Sequence, residues 1–143
     1  MRPAALVDTG FIVALLNGSD EWHAPCVRVF QNAKLPLLTS EAVLSELFFL
    51  LASRRIQPAG AWRFARSGAI TLASVATSDL PQIQELMVRY DDRPMDFADA
   101  TLVHLAQRES LSTVLTVDHD DFETYRIGGR KRFTILPERP RKV

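Results

Sequence analysis

The sequence predicts an α/β fold with a central, mostly parallel sheet and helices on both faces. Short apolar or β-branched runs alternate with longer segments in which apolar residues recur at three- and four-residue spacing. Such alternation implies parallel pairing, because a helix returns the chain to the start of the next strand. With 143 residues, 47% of them hydrophobic and 24% charged, the chain is expected to form one domain with a substantial core.

The first strand is predicted at Ala4–Val7, an apolar run of the kind that is buried on both faces. Asp8 follows it directly, and the next apolar run, Phe11–Leu16, has a helical composition. An acid between a strand and a helix lies at the carboxyl edge of the sheet, where open α/β folds keep their ligands. Asp8 is therefore the first candidate site residue.

The later elements follow from the same periodicity and from helix-start residues, with Ser19 and Ser40 as expected N-caps. The helices are predicted at about 19–32, 41–53, 58–67, 77–90 and from 96 onward, and the strands at 35–38, 70–75 and 113–117. Residues 1–136 are expected to form the domain. The basic segment 137–143 is expected to be a frayed tail.

Cysteine content, hydropathy and charge indicate the cellular compartment and the class of partner. A single cysteine, Cys26, excludes an internal disulfide and fits a reducing cytoplasm. The longest strongly apolar run, Leu47–Ala52, is far too short to cross a membrane. The net charge is zero, yet seven of the 17 Lys and Arg lie in the last 18 residues, where they form either a phosphate-contacting surface or a solvated tail.

Two further acids are expected to meet Asp8. Asp118 follows the predicted strand 113–117, and parallel strands deliver both carboxylates to the same sheet edge. Asp99 lies in the first turn of the preceding helix, which starts near that edge and favours an anion there. Asp99 is equally consistent with a simple first-turn acid, and Asp96 with the N-cap of the same helix.

Glu46 is the acid whose surroundings are least expected. Its neighbours at three- and four-residue spacing are Ala42, Val43, Phe49 and Leu50, so its carboxylate lies on or beside an apolar helix face. Burying an unpaired charge there costs several kcal/mol. Three explanations remain open: the side chain extends to solvent, it pairs with an arginine that follows the helix, or it binds a cation.

The four acids Asp8, Glu46, Asp99 and Asp118 would form a site made of oxygen ligands, with no Cys or His at ligand spacing. Carboxylates suit Mg²⁺ or Mn²⁺, whereas zinc calls for imidazole or thiolate. Sites of this type serve phosphoryl chemistry, in which one ion orients a hydroxide and a second shields the leaving oxygen.

Four segments in this order resemble the PIN-domain family, and in particular its small VapC-type members. They are LVDTG at 6–10, SELFFLL at 45–51, PMDFADA at 94–100 and LTVDHDDF at 115–122, and the closing YRIGGRKRFTIL at 125–136 extends the likeness to almost the whole chain. The resemblance implies a three-layer α/β/α PIN-like fold with four to five strands in the sheet.

The resemblance also implies a function. VapC-type proteins are Mg²⁺- or Mn²⁺-dependent endoribonucleases, usually homodimers, and often toxins whose antitoxin inserts a peptide into the active-site groove. Asp8, Glu46, Asp99 and Asp118 match the family's acidic quartet without a departure. The chain is accordingly expected to cleave RNA and to bind a cognate antitoxin.

Other polar residues are weaker candidates. Thr9, which matches the family's hydroxyl beside the first acid, and Asp121, a less regular extra acid, are candidates for contacting substrate. Arg130 and Lys131 are candidates for guiding RNA. His119 is expected at a solvent-facing turn rather than on the substrate.

Two other functions compete with the ribonuclease. One is a binding module that keeps the acids without catalysis. The other is a phosphohydrolase or phospho-acceptor domain, which normally has a second acid two residues after the first; here that position is Gly10. Cleavage of RNA that depends on a divalent ion would discriminate among the three.

Overall fold

Five strands of the computed structural model, which describes residues 2–140, form one sheet and run in the same direction. Two further short strands form a separate antiparallel pair. The strands are β1 (Leu6–Val7), β2 (Leu37–Ser40), β3 (Ile70–Ala73), β4 (Thr113–Leu115), β5 (Arg126–Ile127), β6 (Lys131–Arg132) and β7 (Thr134–Leu136). The main sheet has the order β3-β2-β1-β4-β7, and β5 pairs with β6.

Helices connect these strands and flank the sheet, so the predicted α/β class with a mostly parallel sheet of four to five strands is confirmed. The helices are α1 (Thr9–Leu16), α2 (His23–Asn32), α3 (Glu41–Ser53), α4 (Ala59–Arg66), α5 (Leu80–Arg89), α6 (Phe97–Arg108) and α7 (His119–Thr124), with a 3₁₀ turn (Thr77–Asp79) before α5. Within residues 2–140, none of these helices has the length and apolar character needed to span a bilayer.

The direction in which strands are added reverses between β1 and β4. From β1 the chain adds β2 and β3 on one side, and then returns to add β4 and β7 on the other. Leu6 and Val7 are in register with Val114 and Leu115 across this junction. A reversal of this kind leaves a crevice at the carboxyl ends of the two strands, which is where open α/β sheets place ligands.

Helix α6 is the most buried helix of the fold. Nine consecutive residues, 98–106, are buried, because the helix packs against α3, α5, β2 and β5. Asp96 caps it, accepting the Asp99 backbone N–H at 2.8 Å. The expected capping role of Asp96 is thereby confirmed, and the cap fixes the turn that carries Asp99.

Several predicted boundaries were wrong. Helix α2 begins at His23 without a side-chain cap, because Ser19 bonds the Asn17 side chain and Asp20 bonds the Trp22 N–H in a preceding turn. The last predicted strand ends at Leu115 rather than at residue 117, since the Thr116 side chain turns toward Asp8. Two residues therefore separate this strand from Asp118.

Within the expected tail, residues 137–140 follow β7 and contact the domain. His119 Nε2 donates to the Pro137 carbonyl oxygen at 2.7 Å, and the Arg139 guanidinium contacts Asp120 and Glu123. The His119 side chain is consequently buried rather than solvent-facing, and it stacks beside Trp22. The rest of the predicted tail, 141–143, lies outside the described residues.

We predict that Gly10→Ala destabilises the protein by about 1–3 kcal/mol, because a β-carbon at Gly10 would lie 2.9 Å from Val117 Cγ2. Elsewhere in a helix the same change is stabilising. The matched control is Gly60→Ala in α4, where a β-carbon would meet only the flexible end of Arg63, at 3.8 Å. Urea unfolding of both variants tests this. Equal or greater stability of Gly10→Ala would show that α1 and the Val117 segment are not in close contact.

Candidate active site

Asp8 caps α1 from the end of β1, and both of its carboxylate oxygens are hydrogen-bonded. Oδ1 accepts the Thr9 backbone N–H at 2.8 Å, and Oδ2 accepts the Thr116 hydroxyl at 2.9 Å. The oxygen of Thr116 in turn accepts the Asp118 backbone N–H at 3.0 Å. Thr116 thus links the two strand ends at the crevice, and Asp8, which is only 5% exposed, has a fixed orientation.

Asp99 reaches the same crevice from the first turn of α6 and is only 7% exposed. Its Oδ2 atom accepts the hydroxyl of Tyr125 at 3.0 Å. Tyr125 is itself fully buried, at the end of α7. Burial and the neighbouring Asp99 raise the pKa of Tyr125, so its hydroxyl remains a hydrogen-bond donor.

Asp118 and Asp121 complete the cluster from α7. Asp118 caps this helix and is partly accessible to solvent, and one oxygen atom each of Asp99, Asp118 and Asp121 lie within 4.8 Å of one another. Asp121 also accepts Nη1 of Arg93 at 3.1 Å. The short helix therefore adds two carboxylates, three residues apart, to the one from α6.

Glu46 lies on α3 beside the cluster and is half-buried. Burial raises its pKa, the Thr9 hydroxyl lowers it, and the charge of Asp96 raises it. Its carboxylate is close enough to Asp8 to raise the Asp8 pKa as well. Among the described residues no arginine pairs with Glu46, so of the three sequence-based explanations the arginine pair is wrong.

Burial and mutual repulsion raise the pKa values of these carboxyl groups. Burial raises the pKa of Asp8 to about 7, with smaller contributions from Glu46 and Asp118. Burial and then the charge of Asp8 raise the pKa of Asp99 to about 8, and burial and Asp121 raise that of Asp118 to about 6. Several carboxyl groups with raised pKa values in one crevice are typical of a functional site.

A hard divalent cation fits this donor set. The close group consists of carboxylate oxygens, and in residues 2–140 no Cys or His joins it. Mg²⁺ and Mn²⁺ take such oxygen ligands together with water. A cation would also offset the repulsion that raises the carboxyl pKa values.

Comparison with known proteins agrees with this geometry. A family model for the PIN domain matches residues 5–127. The chain belongs to the PIN-domain family. The resemblance to its VapC-type members is confirmed by curated relatives. Ribonuclease VapC26 of Mycobacterium tuberculosis is 29% identical over 142 residues, covering 92% of this chain and 99% of the relative.

A second VapC relative has both a sequence and a structural match. The 23S rRNA-specific endonuclease VapC20 of Mycobacterium tuberculosis is 32% identical over 120 residues, which is 80% of this chain and 88% of the relative. The crystal structure of VapC20, described as a Sarcin-Ricin loop cleaving toxin, matches with a TM-score of 0.72 at 30% identity, over 81% of this chain and 91% of that chain.

The close carboxylate group of this PIN domain differs from the predicted quartet: it contains Asp99 and Asp118, whereas Asp8 and Glu46 lie outside it. Asp121, expected only to contact substrate, shares the close carboxylate group with Asp99 and Asp118. Thr116, Tyr125 and Arg93 were not predicted. The threonine was visible two residues before Asp118. The tyrosine reaches the site through its hydrogen bond to Asp99 on α6, and the arginine reaches it from the loop before α6; local patterns encode neither contact.

Of the residues predicted to contact substrate, Thr9 is buried beside the crevice, whereas Arg130 and Lys131 are exposed on a hairpin. Thr9 is buried, and its hydroxyl donates to the Val43 carbonyl oxygen at 3.4 Å, which joins α1 to α3. Arg130 and Lys131 are exposed on the β5–β6 hairpin and make no side-chain contact with the carboxylates. Their role in guiding RNA stays a prediction.

We predict that without divalent ions the protein loses stability as pH rises. The folded-state pKa values of Asp8 and Asp99, about 7 and about 8, lie above the unfolded value of about 3.9, so the folded state binds more protons in this window. The stabilisation is complete below about pH 4 and is lost as pH rises through about 8.

Urea unfolding in EDTA at several pH values between about 5.5 and 8.5 measures this slope. Asp99→Asn should reduce the slope without abolishing it, because position 99 no longer titrates while Asp8 still does. Asp92→Asn in the exposed loop should leave it unchanged. Stability that increases over this range, or a slope that Asp99→Asn does not alter, would contradict the crowding of charge in the crevice.

Proposed function

We propose that this chain is an endoribonuclease that hydrolyses RNA phosphodiester bonds with Mg²⁺ or Mn²⁺ held by Asp8, Glu46, Asp99, Asp118 and Asp121. The observation that carries the proposal is the group of carboxylate oxygens from Asp99, Asp118 and Asp121 within 4.8 Å of one another, in a chain of the PIN-domain family. Its relatives VapC26 and VapC20 are named as a ribonuclease and an endonuclease, which supports RNA as the substrate class.

The bound ions would supply Lewis-acid activation of a water molecule and would shield the charge that develops on phosphate oxygens. Two ions are our choice, because five carboxylates offer more oxygen atoms than a single hydrated ion uses. Asp8 holds its orientation through Thr9 and Thr116. Glu46, half-buried at the rim, would orient the attacking water through the ion that it helps to hold.

Arg93 is our choice for a direct phosphate contact. Its guanidinium is 3.1 Å from Asp121, and 43% of its side chain is exposed. It therefore lies at the border between the acidic crevice and solvent, where an incoming phosphate passes. Thr9, Arg130 and Lys131 remain further proposals for contacts with RNA.

The choice of RNA is a separate proposal. VapC20 is described as cleaving 23S rRNA at the Sarcin-Ricin loop, so an rRNA hairpin of that type is the first substrate to test, together with tRNA and an unstructured RNA. Cleavage by the purified chain should require Mn²⁺ or Mg²⁺ and should stop in EDTA. Failure to cleave any RNA would favour the binding module, and cleavage indifferent to chelation would contradict the metal site.

We also propose that the chain forms a homodimer, binds a cognate antitoxin and is located in the cytoplasm. A homodimer and a cognate antitoxin are supported by exposed apolar side chains, among them Phe49, which is 70% exposed, and Trp62, which stacks on Phe48. Light scattering of the purified chain tests the dimer. Co-expression with a short open reading frame adjacent to this gene, scored by rescue of growth, tests the antitoxin. A cytoplasmic location is supported by the free, buried thiol of Cys26.

We predict that Asp8→Asn lowers the rate of RNA cleavage by at least about 100-fold, since loss of even an outer-shell partner costs about 10–100-fold. The asparagine oxygen still caps α1, and in EDTA the loss of the Thr116 hydrogen bond is offset by removal of a buried charge, so the variant should remain folded. Asp91→Asn in the exposed loop is the control and should retain full activity. An active Asp8→Asn enzyme would remove Asp8 from the mechanism.

We predict that Arg93→Gln raises KM for RNA about fivefold, which corresponds to roughly 1 kcal/mol for one charge-assisted contact, and weakens the salt dependence of binding. The matched control is Arg89→Gln. The Arg89 side chain is equally exposed and also ion-paired, but its partner is Glu85 on the same helix. Initial-rate kinetics at two salt concentrations compare the two. The same KM for both variants would mean that Arg93 does not touch substrate.

A further inference from the structure

The hydroxyl of Tyr125 is the buried donor that joins the aromatic core to the acidic crevice. It donates to Asp99 Oδ2 at 3.0 Å, and the tyrosine side chain is fully buried. Because no solvent reaches the ring, water does not replace this hydrogen bond. The position of one Asp99 oxygen atom is therefore set by the position of the ring.

The ring is fixed by edge-to-face contacts on two sides. Its centroid is 5.1 Å from that of Tyr90 at 65° and 5.2 Å from that of Phe122 at 79°, and Phe122 packs in the same way on Phe133. Aromatic pairs of this geometry are favourable beyond their buried area. Tyr125 cannot turn without breaking them, so its hydroxyl is a rigid donor.

The backbone of Tyr125 ties the same residue to the other half of the site. Its N–H donates to the Asp121 carbonyl oxygen at 3.0 Å, at the end of α7, the helix that carries Asp118 and Asp121. One residue thus contacts α7 through its backbone and Asp99 on α6 through its side chain. It sets the spacing between the carboxylate from α6 and the two from α7.

We propose that Tyr125 is a positioning residue of the metal site: its hydroxyl holds Asp99 in the rotamer that directs the other carboxylate oxygen toward Asp118 and Asp121. The inference rests on the proposed function only for the identity of the ion. The hydroxyl takes one acceptor site on Asp99 and leaves Oδ1 for a ligand. Buried partners that orient metal ligands in this way typically account for about 10–100-fold in metal affinity.

The test is Mn²⁺ binding to the purified chain without RNA, measured by titration calorimetry. Tyr125→Phe keeps the ring and removes the hydroxyl, and we expect its Mn²⁺ dissociation constant to rise about tenfold or more. Tyr90→Phe is the matched control. Tyr90 belongs to the same aromatic cluster, but its hydroxyl accepts the Arg126 backbone N–H at 3.0 Å and touches no carboxylate. Its Mn²⁺ affinity should stay within about twofold of wild type.

A double-mutant cycle removes the remaining ambiguity. If Tyr125 acts through Asp99, Tyr125→Phe should have little effect on Mn²⁺ affinity in an Asp99→Asn background. With RNA present, excess Mn²⁺ should restore most of the cleavage rate of Tyr125→Phe. Unchanged Mn²⁺ affinity of Tyr125→Phe, equal losses in both tyrosine variants, or absence of Mn²⁺ binding to wild type would each overturn the inference. Weakened Mn²⁺ binding by Tyr125→Phe in a protein that cleaves no RNA would support it while contradicting the ribonuclease.

Discussion

The parallel pairing of β1 with β4 is the constraint on which the site depends. These neighbouring strands end at the same edge, and the reversal of strand order between them leaves a crevice there. The Thr116 side chain closes the junction by donating to Asp8 and accepting from the Asp118 backbone. Two short strands and one hydroxyl therefore place carboxylates from residues 110 positions apart in sequence beside each other.

Helices then add acids to the edge that the strands define. Asp99 arrives from the first turn of α6, Glu46 from the middle of α3, and Asp121 from α7. The chain carries no net charge, so this concentration of negative charge is local and must be supported by the rest of the core. Apolar packing of the kind seen at Phe11 and Leu115, worth about 1.5–3 kcal/mol for each fully buried side chain, provides that support.

Most of the fold and half of the site could be predicted because both follow local rules. Neighbouring residues predict both the strand before Asp8 and the helix cap at Asp96. Parallel pairing of the strands then brings Asp8 and Asp118 together. What the sequence did not reveal depends on partners far along the chain. His119 looks like a surface histidine beside three acids, yet its partner is the Pro137 carbonyl. Tyr125 likewise looks like an ordinary core residue until its contact with Asp99 is seen.

Because α6 is buried on every side, few substitutions in this helix should be compatible with an active protein. Three of the buried residues behind Asp99 are the alanines Ala98, Ala100 and Ala106, and the helix has no solvent-facing side in that stretch toward which a larger group can move. A larger side chain at any of these positions displaces helix α6, and Asp99 in its first turn moves with the helix. In a random mutagenesis survey, inactive alleles should therefore map along this entire helix, including positions that never contact the chemistry.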